Sequence, residues 1–340
     1  MNRRTRVRLL SLVANLAVTA GAIGLVVYSD LPIVRYNNCF YNLVYGREGA
    51  AGVVVVGSSR VGRGIEADIV GEHMTAAGLT NPISVVLFRP GNGIDDYPQI
   101  VRDVTSELGV DEVFLMELSI PDPPGYQSIG RNAAKVTSSE ILAQLRASNE
   151  PIDGRLRDLA HRFSTKLDLT MNSLISGDTP AAPAPIELTR TDQSRAYCRW
   201  TQKEIRRRPG QLRNQRDRIE SSVGEWTAQD NLSWNIEGLV DYERFDFLVR
   251  STIDEAELAG VPLMFFKMPA YLDPPVSADF THWFEGTYEV PLLTPPTRVL
   301  AKLYDNERYR DINHVGEKGR RVLTNWLAAA VADELTSGRG

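Results

Sequence analysis

Two short segments, far apart in the chain, carry residue types that together do acyl chemistry. Gly57-Ser58-Ser59-Arg60 follows an unbroken apolar run, and Asp311-Ile312-Asn313-His314 precedes the last amphipathic stretch. A serine at a sharp strand-to-helix turn exposes its hydroxyl, and the backbone N–H groups around it can receive an oxyanion. A histidine can take the serine proton, and a carboxylate three residues earlier can hold that imidazole in the productive tautomer. Ser59 is thus the candidate nucleophile, His314 the base and Asp311 the orienting group. Each alone has a plainer reading, Ser59 as a helix N-cap and His314 as a surface or capping histidine. Their joint placement points to catalysis.

The glycine-rich turn has other readings, and its neighbours argue against them. GSSRVG has the glycine spacing of a phosphate-binding loop, but Arg63-Gly64 follows where a lysine and a hydroxyl are required. No G-x-G-x-x-G fingerprint occurs there. His73, His161, His282 and His314 are too scattered for a H-E-x-x-H helix. The two cysteines, Cys39 and Cys198, offer no C-x-x-C pair. The site therefore calls for neither a metal nor an organic cofactor.

These segments need elements to position them. Gly52–Val56 is apolar at every position, as suits a strand covered on both faces. Ile83–Phe88, Glu112–Leu118 and Val261–Met268, mostly apolar, read as three further strands. Between them, Tyr97, Ile100, Val101, Val104 and Leu108 share a helical stripe stopped by Gly109, and Phe245, Leu248, Val249, Thr252, Ile253 and Ala256 share another stopped by Gly260. Val322, Leu323, Trp326, Leu327, Ala330 and Val331 give a terminal helix. Alternating strands and helices predict an α/β domain with a doubly wound parallel sheet. Ligands of such sheets bind beyond the carboxyl ends of the strands, which directs attention to GSSR, RPGNG, SIPDPP and PAYLDPP.

At 340 residues, 43% apolar and 24% charged, the chain can bury a large core, so disorder and coiled coil are excluded. Its net charge of −5 argues against a nucleic-acid partner. Leu9–Tyr28 is uncharged throughout and, as a helix, spans roughly the 30 Å of a bilayer core. Arg3, Arg4, Arg6 and Arg8 precede it, which predicts a cytoplasmic N-terminus and an exported body. A cleaved signal peptide is the alternative, with Ala20-Gly21-Ala22 as its site. Outside the cytoplasm Cys39 and Cys198 can either pair or remain separate thiols.

The expected organisation is a basic cytoplasmic tail (1–8), an anchor (9–28), a linker (29–51) and one α/β domain (52–340) interrupted by a partly helical insertion at about 121–242. The insertion holds an Ala/Pro stretch, DTPAAPAPI, and a basic run, KEIRRRPGQLRNQRDR. That run reads as a solvated face or as a groove for an anionic polymer or lipid headgroup.

VVVVGSSRVGRGI resembles the first motif block of the SGNH (GDSL-like) hydrolase superfamily, with Ser59 at the nucleophile position. YRDINHVGEKGRRVLTNWLA is similar to its last block, D-x-x-H, matching Asp311 and His314. The resemblance covers roughly 50–120 and 240–335 and implies a flavodoxin-like three-layer fold. It also implies an oxyanion hole from the N–H groups of Ser59 and of Gly91 or Gly93. One block departs: Pro121 stands where the family has an asparagine donor, and Asn92 in the neighbouring loop is the candidate substitute. Loss of a single such donor costs ~10²–10³ in turnover in other enzymes.

Within the superfamily, GSSR with one N-terminal anchor resembles the DltD-like and alginate-acetylation-like group. The function this implies is an extracytoplasmic O-acyltransferase, or an accessory to one, moving an acyl group through a serine ester onto an envelope polysaccharide or glycolipid. Its implied partners are the membrane and a multi-pass membrane-bound O-acyltransferase. An exported carbohydrate esterase and a non-catalytic scaffold are the alternatives. Arg60 is either a salt-bridged structural residue or a contact to an anionic substrate.

Overall fold

The computed structural model describes residues 11, 15, 18, 19, 21, 47–88, 93–119, 186–187, 242–270, 275–304, 308–311 and 314–337. The chain divides into two compact units, Met1–Asn37 with Pro123–Ala181 and Asn38–Asp122 with Ala182–Gly340. In the first, the described residues Ser11, Asn15, Val18, Thr19 and Gly21 are helical and exposed. Among the described residues no helix is long and apolar enough to cross a membrane. Most of Leu9–Tyr28 lies outside them, as do both cysteines, the basic run and all of the expected insertion save its last residue, Tyr242, and Ile186–Glu187, which pairs in parallel with Arg47–Glu48.

The second unit is built on five parallel strands: β1 (Ala51–Gly57), β2 (Ser84–Phe88), β3 (Val110–Glu117), β4 (Leu263–Phe266) and β5 (Leu292–Leu293). Their order is β2-β1-β3-β4-β5. The order reverses at β1, so the carboxyl ends of β1 and β3 flank the topological switch point. The helices are α1 (Ser59–Gly64), α2 (Ala67–Ala76), α3 (Tyr97–Glu107), α4 (Tyr242–Leu258), α5 (Ala278–Tyr288), α6 (Thr297–Leu303) and α7 (Glu317–Ser337).

Period-two alternation sends successive side chains of each strand to opposite faces, and both faces are covered. Val53, Val55, Leu115 and Phe266 share a buried cluster with Val61 of α1, Met74 of α2, Leu303 of α6 and Leu327 of α7. Val54, Val56, Phe114 and Phe265 are equally buried on the other side. There Phe265 meets Phe284 of α5 edge-on at 5.4 Å between centroids, and Phe284 meets Phe245 of α4 at 6.5 Å. Arg102 of α3 pairs with Glu255 of α4 on that same side. Two-sided burial explains why these strands are apolar at consecutive positions.

Gly109 and Gly260, read as helix stops, adopt left-handed φ values of 72° and 69°. The Val261–Met268 run forms a shorter strand than expected. Pro262 carries no N–H, and pairing begins at Leu263. The segment around Asp311 and His314 forms two short antiparallel strands, β6 (Tyr309–Asp311) and β7 (His314–Val315), outside the main sheet.

Candidate active site

The serine turn begins inside the core. All of β1 is buried, and at Gly57 the chain must leave the sheet. Ser58 is the N-cap of α1, its hydroxyl accepting from the Arg60 N–H at 3.2 Å, which satisfies one donor that a helix start leaves open. The Gly62 N–H closes on the Ser58 carbonyl at 3.2 Å. Ser59 is therefore the first helical residue, half-buried at the strand's carboxyl end. α1 lies so close to β2 that a Cβ on Gly62 would enter the buried Phe88 ring.

The histidine comes from the hairpin. His314 is half-buried on β7, and its Nε2 lies 2.9 Å from the Ser59 hydroxyl, across 255 positions of sequence. Several contacts fix the hairpin. The Tyr309 hydroxyl of β6 reaches the carbonyls of Pro269 and Ala270, beyond β4, at 3.3 and 3.1 Å. The Gly316 N–H donates to the Arg308 carbonyl at 2.6 Å, and Gly319 of α7 packs so tightly on that carbonyl that any Cβ would collide with it. On the serine side, Thr324 of α7 donates to the Gly64 carbonyl at 3.0 Å and accepts from the Glu66 N–H at 3.1 Å. One helix thus holds both halves of the site.

Asp311 stands directly opposite His314 in the β6–β7 ladder. Its side chain lies outside the described residues, as do Gly91, Asn92 and Pro121. Gly93 is described. It is extended, and a Cβ there would meet the Ser119 hydroxyl at 3.4 Å. The next N–H, of Ile94, donates to that hydroxyl at 3.0 Å, fastening the loop after β2 to the end of β3.

Of the two readings of Arg60, the geometry gives an ion pair. Its Nε lies 3.1 Å from Oε1 of Glu117, whose side chain is 1% exposed, and its Nη1 donates to the Met268 carbonyl at 3.4 Å. The other carboxylate oxygen, Oε2, accepts from the Ser58 N–H at 2.6 Å. Beneath this pair, the buried Tyr97 hydroxyl donates to the Glu117 main-chain carbonyl at 2.6 Å. Burial pushes the Tyr97 phenol well above its ordinary value, and the nearby Glu117 and Asp96 carboxylates push the same way. Tyr97 therefore stays a neutral donor.

Glu117 and Tyr309 were not singled out by sequence reasoning. The signal for Glu117 was present, since it is the one charge in Val113–Leu118 of an otherwise apolar strand. Tyr309 gave none. Among the described residues, no three His, Cys, Asp or Glu side chains gather as a metal site. In comparisons with known proteins, no family model matches the chain and no curated protein matches it significantly.

Proposed function

We propose that this protein is a serine-dependent acyl-transfer enzyme of SGNH-like architecture, flavodoxin-like in its three layers, with Ser59 as nucleophile. The observation that carries the reading is the 2.9 Å approach of Ser59 Oγ to His314 Nε2, made by residues 255 positions apart beside the sheet's switch point. A serine and an imidazole at this distance have the geometry for general-base activation.

In this reading His314 Nε2 takes the hydroxyl proton as Ser59 Oγ bonds to the acyl carbonyl carbon. The tetrahedral oxyanion is held by N–H groups of Ser59 and of Gly91 or Gly93, with Asn92 in support. The intermediate collapses, the bond to the donor's leaving oxygen breaks, and that oxygen takes the proton from His314. An acceptor hydroxyl then repeats the steps in reverse on the acyl-serine, restoring Ser59. Asp311 orients His314 throughout. Arg60, held by Glu117, supports the turn rather than gripping substrate.

The proposed acceptor is a hydroxyl of an envelope polysaccharide or glycolipid, and the proposed setting is extracytoplasmic. Leu9–Tyr28 serves as the anchor there, and a multi-pass acyltransferase delivers the acyl group. What supports the setting is the arginine-flanked apolar run at the N-terminus. The test is a labelled acyl ester incubated with the full chain and an oligosaccharide. Label on the sugar, lost in Ser59→Ala, is the expected result. Label released only as free acid makes the protein an esterase, and turnover that persists in Ser59→Ala refutes the reading.

A further inference from the structure

A full carboxylate at the buried end of β3 is out of keeping with its surroundings. Val113, Phe114, Leu115 and Met116 before it and Leu118 after it are buried and apolar. Pairing such a charge in the interior is often no better for stability than filling the same space with apolar side chains. A gain in packing does not explain Glu117, so its value must lie in what it fixes.

We infer that Glu117 is a positioning residue for Ser59, clasping the nucleophile turn from within the sheet. This rests on the reading of Ser59 as nucleophile. One carboxylate engages the residues on both sides of Ser59: Oε2 accepts from the Ser58 N–H at 2.6 Å, and Oε1 faces the Arg60 Nε at 3.1 Å. The second approach is an ion pair rather than an aligned hydrogen bond, and among the described residues Oε1 has no hydrogen-bond donor. Arg60 is kept in place by its additional bond to the Met268 carbonyl. Ser59 thus has one neighbour's main chain and the other neighbour's side chain tied to one buried group.

Gly57 gives a second, independent reason. A Cβ at that position would come 2.3 Å from Val61 Cγ2 of α1, 2.6 Å from Glu117 Oε2 and 2.8 Å from the Glu117 Cβ, so glycine there lets both the helix and the carboxylate close on the turn. The strand end and the acid that closes on it form one device. The Tyr97 hydroxyl, bonded to the Glu117 carbonyl, holds the backbone that carries the acid. A tight clasp serves catalysis because a misplacement of ~1 Å at a reacting atom can cost ~10² in rate.

The experiment uses the full chain with a fluorophosphonate ester as probe, separating the inactivation rate constant from the binding constant. Glu117→Gln keeps an acceptor for the Ser58 N–H and removes the charge that faces Arg60. The double variant E117L/R60M replaces the ion pair with apolar side chains, an exchange that proteins often tolerate, and removes the partners of the Ser58 N–H and the Met268 carbonyl at a cost of about 1–3 kcal/mol. With the fold verified by thermal unfolding, E117L/R60M should lose ~10² in the inactivation rate constant at unchanged probe binding, and E117Q should fall in between. A folded variant that reacts as fast as wild type would overturn the clasp. If wild type itself takes no probe, the catalytic reading fails, and the clasp is judged by the crystal structure of E117L/R60M. Withdrawal of Ser59 Oγ from His314 beyond hydrogen-bond reach supports it, and an unchanged 2.9 Å refutes it.

Discussion

Ser59 stands at the end of β1, a strand hydrogen-bonded on both edges and buried at every position, whereas His314 stands on a two-residue strand of a separate hairpin. The serine half takes its precision from the core: a helix pressed onto Phe88, a cap made by Ser58 and a buried acid beneath the turn. The histidine half takes its precision from a few long-range ties, chiefly the Tyr309 hydroxyl on the loop after β4 and α7 packed on Arg308. Damage to the packing of the first half should register as instability, whereas loosening its Glu117 clasp should register as lost reactivity. Damage to the second should register as lost reactivity in a protein that still folds.

The sharpest contrast is expected at His314 itself. His314→Ala should lower fluorophosphonate reactivity by ~10²–10⁴ while the urea midpoint barely moves, because the side chain is half-buried at the edge of the fold. A large fall in the midpoint would show that the histidine half is structural after all.

On the serine side, two glycines of α1 should behave differently. Gly62→Ala would force a Cβ into the Phe88 ring, for which overpacking costs about 1–3 kcal/mol. Gly64→Ala meets first the terminal methyl of Met268, a flexible chain that can yield, and its helix propensity improves by up to about 1 kcal/mol. Urea unfolding of the pair should therefore separate them clearly. Equal losses would mean that α1 is not seated on β2 as described.

Tyr309→Phe sits between the extremes. It keeps the buried ring and removes the bonds to Pro269 and Ala270, so about 1 kcal/mol of stability should be lost with a several-fold fall in probe reactivity. Reactivity equal to wild type would mean that the hairpin needs no such tie.

Tyr97→Phe should cost about 1 kcal/mol at neutral pH, the worth of the bond to the Glu117 carbonyl, and alkali should shrink that difference. The Tyr97 phenol is raised well above 10.0 in the folded protein, so above about pH 10 the unfolded chain gives up a proton that the folded chain keeps. Stability contributed by the neutral phenol is complete below that pH and declines as pH rises through it. In Tyr97→Phe this part of the alkaline decline should be missing, which unfolding curves at a series of alkaline pH values would reveal. An identical decline in both proteins would contradict the buried neutral donor.

The same contrast governs what could be read from the residues alone. β1, β2 and β3 were legible because two-sided burial writes long apolar runs, and α3 and α4 because a stripe ends at a glycine with positive φ. Ser59 was legible because it follows such a run directly. The β6–β7 hairpin was not, since strands of two and three residues show no alternation, nor was β5, Leu292–Leu293. Glu117 was overlooked because periodicity weighs apolar positions, while its meaning lies in partners 57 and 59 positions away, Arg60 and Ser58. Tyr309 acts through carbonyls some 40 positions away, a tie that only the folded chain displays.

Activation of Ser59 by His314 is tested most directly by peptide mapping with mass spectrometry after fluorophosphonate treatment. A single adduct is expected on the peptide that carries Ser59, absent from Ser59→Ala and strongly reduced in His314→Ala. A wild-type chain left unmodified, or modified equally when Ser59 is replaced, would contradict it.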